Sequence, residues 1–462
     1  MIVRPPLSFH RVALLLSSYL ILAAGLAVLS SRGLVADGAF YFITLLESGW
    51  PTTFEHGRVA AHALTQWPVV LAVNLGMTNF IGLRLLHSAG LYYLGPLHLL
   101  LCWWLLPAGK KEAFFWPLLS LFAGSINAWL TAMTEAHVMT WLFWPLVLFM
   151  AHGDDRRRSH LVVVGLLALA SVSAYETMAL QGLLLAGLAF RRVSKSSGAA
   201  RMAWTALAAW FLVGVAVAVY FSVNPRSVEN RGGFVTGLLR FAGTGPDDLN
   251  YPVLLSLGTL AAIVVLLLIG PLPARVFQTL MATMMVVGIM VAMCPVFAPA
   301  SVRAAQQFQA RAWVGLLPVA LALLMLWVDR RKTDPAAFGM AVAVLVVLGL
   351  TQITWQTLAT AQWHGYTRVF KEELARQPGF IPYETTGLIR ERMGIQALNG
   401  LTWNYTNAYM SIALAPAGRV SAIIGVPRGH WQPFDPRDPK LLPELSRYGV
   451  DYSGYRQALA GR

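Results

Sequence analysis

The sequence predicts an all-α polytopic membrane protein, with about eleven transmembrane helices and a small α/β C-terminal domain outside the membrane. Three observations carry this. Of 462 residues, 57% are hydrophobic and only 12% are charged, too apolar a balance for a water-soluble chain. Apolar runs recur that are long enough to cross a hydrocarbon core of about 30 Å. Sixteen Trp and fourteen Tyr suit interfacial belts and polar cavities better than a single soluble core.

The expected spans are 12–30, 80–106, 113–132, 138–152, 161–174, 177–190, 203–223, 252–270, 277–297, 312–328 and 336–356. The first follows Arg4 and Arg11 and is too long for a signal-peptide core, so it reads as a retained span. The formal charge of +14 is clustered in short connections: Lys110 and Lys111, Arg156 to Arg158, Arg191 to Arg201, Arg275, and Arg330 to Lys332. Such clusters mark cytoplasmic loops and favour anionic membrane lipids, whereas nucleic-acid binding lacks a continuous basic face or a motif. Basic residues flank 161–190 on both sides, which favours a hairpin of two short helices turning at Ala174, Tyr175, Glu176 and Thr177; the alternative, a single tilted crossing, gives about ten spans and an internal tail. With a cytoplasmic N-terminus, residues 1–356 form the transmembrane module and 357–462 an extracytoplasmic domain. In that domain 409–415 and 419–426 read as strands and 441–448 as a short helix. Cys102 and Cys294 lie in apolar runs, so neither a disulfide framework nor a thiolate metal site is indicated.

The polar first outer loop, 31–79, organises the rest. Asp37, Glu47, Glu55, His56, Arg58 and His62 gather there. Phe40, Ile43 and Leu46 follow at helical spacing and Gly49 and Pro51 stop the run, predicting a short helix lying on the membrane with Asp37 at its start. Asp is a favoured N-cap, so Asp37 serves as cap, as a chemical group, or as both. Glu135 and His137 occupy the next outer turn, Glu176 the hairpin turn, and Arg303 and Arg311 a later outer loop.

Ionisable groups at membrane depth are costly and mark function unless they pair to fix packing. A carboxylate among cations on one face suits transfer from a lipid-linked phosphate donor. The carboxylate takes a proton from an acceptor hydroxyl as it attacks, and Arg side chains hold the phosphate. Arg303 and Arg311 are the first choice for that phosphate, or else interfacial anchors. Trp403, Tyr405 and Tyr409 would stack on sugar rings or pack the tail. Asp247 and Asp248 read as a turn. Phosphate-loop and HExxH motifs are absent, and scattered His56, His62 and His137 are a weak metal signal.

The layout resembles the GT-C class of polytopic glycosyltransferases, which use polyprenyl-phosphate-linked sugars. The resemblance lies in an Asp soon after the first span (VADGAFYF), a short acidic second outer loop (TEAH), paired short helices and a C-terminal outer domain. It implies a GT-C-like fold with Asp37 as base and Glu135 lining the same site. Two departures matter: Gly38 follows Asp37 where many relatives carry a second acidic residue, and TEAH lacks the D/E-x-D pattern of metal-dependent relatives. No cofactor is therefore expected, and a divalent metal is not indicated.

The expected function is transfer of a sugar from a polyprenyl-phosphate donor to a glycan, lipid or protein acceptor on the outer face of a bacterial inner membrane. Asp37 is the expected base; Glu55, His56, Arg58, Glu135, His137, Tyr175, Glu176, Arg303 and Arg311 would bind substrate. The alternatives are a flippase or transporter of a lipid-linked glycan, and a glycan polymerase.

Overall fold

The computed structural model of the chain describes residues 8–53, 55–125, 135–225, 251–297, 304–331, 333–388, 406–426 and 434–461. Lipid offers no partner for backbone N–H and C=O groups, so the apolar stretches fold as helices. In chain order these are α1 (Phe9–Leu29), α2 (Gly38–Ser48), α3 (Val59–Asn74), α4 (Phe80–Tyr92), α5 (Leu94–Leu105), α6 (Phe115–Ser125), α7 (Glu135–His152) and α8 (Arg158–Ser171). There follow α9 (Met178–Val193), α10 (Gly198–Val223), α11 (Tyr251–Ile269), α12 (Ala274–Phe297), α13 (Ala304–Val328), α14 (Pro335–Arg376), α15 (Asn407–Ala413) and α16 (Ser453–Ala460).

The fold is that of a helical membrane protein, but the count of eleven spans does not hold. Among the described residues four helices are long and apolar enough to cross a bilayer: Phe9–Leu29, Gly198–Val223, Ala274–Met293 and Pro335–Arg376. The pair α4 and α5, bent by 46°, adds a fifth if taken as one span. Two of the other apolar runs form helices too short to span. α8 has 14 residues and α9 has 16, about 21–24 Å at 1.5 Å per residue. α7 is apolar for a different reason: every side chain from Ala136 to Met150 is buried by neighbouring helices. Hydropathy cannot separate a helix wrapped in protein from one wrapped in lipid.

The bundle has two distinct ends. At one, the His10 and Trp103 rings lie 5.3 Å apart, Trp104 and His160 4.2 Å, and Phe9 and Phe338 5.9 Å. His152 Nε2 meets Asp329 Oδ2 at 3.2 Å there. Arg192 donates to the carbonyls of Met150, Phe149 and Gly153 at 2.8, 2.9 and 3.0 Å, pairing carbonyls that the end of α7 leaves without helical partners. The starts of α1, α8 and α14 and the ends of α5, α7, α9 and α13 thus share one end with the basic clusters. At the opposite end, Trp363 Nε1 donates to Ser30 O at 3.0 Å and Ala60 N to Ser173 O at 3.0 Å. The chain enters α8 at the basic end, turns through 172–177 at the opposite end and returns along α9, as the hairpin reading requires.

α14 sets the position of the tail. Asp334 caps it by accepting from Ala336 N at 2.7 Å, with Pro335 in the first turn, where a missing N–H costs nothing. From Pro335 to Gln356 the helix runs roughly 30 Å, one hydrocarbon thickness. It continues to Arg376, 42 residues in all, and delivers the tail beyond the end opposite the basic clusters.

The tail and the first loop share a hydrophobic core. Phe42, Ile43 and Leu45 of α2 pack with Trp363, Phe370, Tyr409, Ile412, Ile424 and Tyr455. Tyr448 Oη donates to Leu46 O at 3.0 Å, and the Phe40 and Tyr409 rings lie 5.2 Å apart, edge to face. α2 therefore forms where its periodicity predicts, and Gly49 ends it at φ +70°. Its apolar residues are covered by the tail rather than lying on the membrane. Two tail expectations are corrected. Residues 407–413 are helix rather than strand, and the strand Ala422–Gly425 pairs in parallel with Gly379–Pro382 rather than across the Pro416 turn. Parallel pairing needs a long connection that local turn patterns do not reveal. Within 441–448 only Ser446–Tyr448 forms a helical turn.

Candidate functional site

The site is built on the first turns of α3 and α7 and the hairpin turn before α9. A single turn of 3-10 helix, His56–Arg58, leads into α3. Arg58, His62 and Gln66 then recur every four residues, on one face of the helix. That face meets Glu135, the first residue of α7, and Glu176 in the turn that follows α8.

Arg58 lies at the centre. Its Nε and Nη2 donate to Glu176 Oε1 at 2.9 and 2.8 Å, and its Nη1 is 3.9 Å from Glu135 Oε1. The guanidinium also stands 4.9 Å from the centre of the Tyr175 ring, a cation–π contact. Burial by itself would lower the affinity of Arg58 for its proton. Glu176, Tyr175 and Glu135 together outweigh that and hold its pKa well above the ordinary value. Glu135 Oε1 lies 3.4 Å from His62 Nε2. On the other side of the imidazole, Gln66 Nε2 is 3.3 Å from His62 Nδ1, and Gln66 also exchanges two hydrogen bonds with the Thr52 backbone at 2.7 and 2.8 Å. Glu176 Oε2 is buried and has no hydrogen-bond partner among the described residues. The cluster therefore holds Arg58 between two carboxylates and has one buried carboxylate oxygen able to accept a further hydrogen bond.

Asp37 stands at the start of α2, whose first hydrogen bond runs from Tyr41 N to Asp37 O at 2.9 Å. Its carboxylate does not cap the helix. Tyr41, one turn on, lays its ring 4.6 Å from that of His62. The face of α2 that begins at Asp37 is thus joined to the Arg58 cluster through Tyr41 and His62.

The remaining expected residues divide. Glu55 is buried, and its carbonyl accepts from Thr53 Oγ1 at 2.8 Å and from Arg58 N at 3.0 Å, shaping the turn that aims Arg58. His56 is exposed, with its ring 6.2 Å from Phe221 of α10. His137 points away from Glu135, because two residues along a helix is more than half a turn. It lines a small internal cavity with Ser120, Thr140, Trp141, Leu317 and Pro318. Tyr409 is buried in the tail core. Arg303, the Arg311 side chain, Trp403, Tyr405, Asp247 and Asp248 lie outside the described residues. Among the described residues no three His, Cys, Asp or Glu side chains converge as metal ligands.

His62, Tyr41 and Gln66 also belong to the site, and the sequence by itself marks none of them strongly. The four-residue spacing of Arg58, His62 and Gln66 was the available signal for two of them. Nothing in the sequence pairs Tyr41 with His62. In comparisons with protein families, curated proteins and solved structures, the chain matches none.

Proposed function

We propose that the chain is a membrane glycosyltransferase of GT-C-like architecture. It would move a sugar from a polyprenyl-phosphate donor to a hydroxyl of a glycan, lipid or protein acceptor. The observation that carries this reading is the convergence of Glu135, Glu176, Arg58 and His62 at the end of the bundle opposite the basic clusters, on the side where the tail also lies. By the positive-inside tendency the basic end is cytoplasmic and the site faces outward, as in a bacterial inner membrane.

In this reading Asp37 takes the proton of the acceptor hydroxyl as its oxygen attacks the anomeric carbon, and the lipid phosphate leaves with the bonding electrons. Glu176 Oε2 accepts a hydrogen bond from an acceptor or donor hydroxyl, and Glu135 with His62 shapes the adjoining wall. Arg58 is held by two carboxylates, so it neutralises them and orders the pocket instead of binding phosphate. The phosphate role is assigned to Arg303 and Arg311.

The bend between α4 and α5 favours a second reading, a flippase for a lipid-linked glycan, since broken helices line the pathways of many transporters. Full-length protein in lipid nanodiscs and in sealed vesicles, given radiolabelled polyprenyl-phosphate sugars, separates the two. Label transferred by the wild type and lost in folded Asp37→Asn supports the enzyme. Label that crosses the vesicle membrane without transfer supports the flippase.

A further inference from the structure

We infer that Arg32 is a positioning residue for Asp37, holding segment 31–38 in a conformation that keeps the Asp37 carboxylate off the end of its own helix. The inference rests on the proposed role of Asp37 as base.

Arg32 is 1% exposed. Its Nη1 donates to Gln356 O and Thr360 Oγ1 at 3.0 and 2.9 Å, its Nη2 donates to Gln356 Oε1 at 2.8 Å, and its guanidinium stands 5.3 Å from the Tyr92 ring. A buried guanidinium is a costly way to tie the segment to α14, but its planar fork fixes direction as well as distance.

The segment that Arg32 anchors is under strain. Ser31 and Ala36 adopt φ of +55° and +54°, a left-handed conformation disfavoured for residues with a side chain. Gly33 N donates to Ser88 Oγ at 3.1 Å. A Cβ on Gly33 would stand 2.7 Å from Ser88 Cα, and one on Gly38 1.8 Å from the Gly33 carbonyl oxygen, so the chain folds tightly onto itself here.

The consequence falls on Asp37. It enters α2 at φ −76° and ψ −7°, outside the extended conformation in which a capping Asp turns back onto the first amides of its helix. An Asp at the most favoured capping position is thus kept from capping. The strain at Ala36 accounts for this, and the Arg32 fork opposes the relaxation that would undo it. Strain of this kind concentrates where a side chain is presented for chemistry.

The test uses full-length protein in nanodiscs. In the transfer assay, Arg32→Gln lowers kcat about 100-fold with little change in KM, the signature of a misplaced group in place of lost binding. Arg32→Lys stays impaired, because an ammonium cannot reproduce the fork. Unchanged kcat, or a rise in KM alone, overturns the inference. If the wild type transfers nothing, the glycosyltransferase reading has failed, and the positioning of residue 37 is tested separately. Asp37→Cys is then alkylated with a water-soluble maleimide, and adding Arg32→Gln speeds alkylation about tenfold as the segment opens. Equal rates overturn the inference. Should Arg32→Gln not fold, Thr360→Val removes one bond of the fork and shifts kcat or the alkylation rate in the same direction by a smaller factor. No shift overturns the inference.

Discussion

Arg58 directs two of its nitrogens, at 2.8 and 2.9 Å, onto one oxygen of Glu176, a residue that lies more than a hundred positions along the chain. The pair ties the first polar loop to the α8–α9 turn. The second Glu176 oxygen is buried and has no hydrogen-bond partner among the described residues.

Breaking this pair from one side should cost more than replacing both partners. Both side chains are largely buried, with exposures of 10% and 14%, and an uncompensated buried charge typically costs about 3 kcal/mol. Glu176→Gln and Arg58→Met should each lower unfolding stability in detergent by about that amount. The Arg58→Met, Glu176→Leu double variant should recover most of it. Losses that simply add would show that the two residues act independently.

Arg192 holds three carbonyls at the end of α7 and stands 5.5 Å from the Trp204 ring. Arg192→Ala should destabilise the bundle by about 3 kcal/mol, as several charge-assisted hydrogen bonds are lost together. Arg192→Lys should recover little, because a single ammonium cannot reach all three carbonyls. Thermal unfolding in micelles reads both.

Gly90 lets α4 lie close against α3. A Cβ there would stand 2.0 Å from Thr65 O, a backbone atom that cannot turn aside. Gly90→Ala should therefore cost about 2–3 kcal/mol through forced separation of the helices. A variant as stable as the wild type would show that the helices slide apart freely.

Glu47 supplies a pH dependence. Burial raises its pKa; the Glu444 amide pulls it down and the Glu444 carboxylate pushes it up, leaving it above the ordinary value. A carboxyl with a raised folded-state pKa binds more protons folded than unfolded. Its stabilising contribution is complete below the usual carboxylate pKa near 4.5 and is lost as pH rises through the raised value. Glu47→Gln should flatten the stability profile from pH 4.5 upward. An unchanged profile would show that Glu47 titrates alike in both states.

Parts of the site are legible in the chain and parts are not. Glu135, Glu176 and Arg58 stand out because ionisable groups are rare in so apolar a sequence. His137 stands out for the same reason, yet it faces a separate cavity, since helical phase and not sequence proximity decides its direction. The contact of Tyr41 with His62 depends on how α2 is tilted against α3, for which no local pattern codes.

By itself the sequence determined that the chain is helical and membrane-embedded, because composition and backbone hydrogen bonding in lipid allow little else. It also determined where most helices and the α8–α9 turn fall, because Gly, Pro and charge clusters break apolar runs locally. Only the tertiary structure decided which apolar helices are covered by protein and which are long enough to span. It alone packed α2 under the tail and brought Arg58 to Glu176. These outcomes rest on contacts between residues far apart in the chain, and hydropathy, which scores each residue by its own side chain, carries no information about its eventual neighbours.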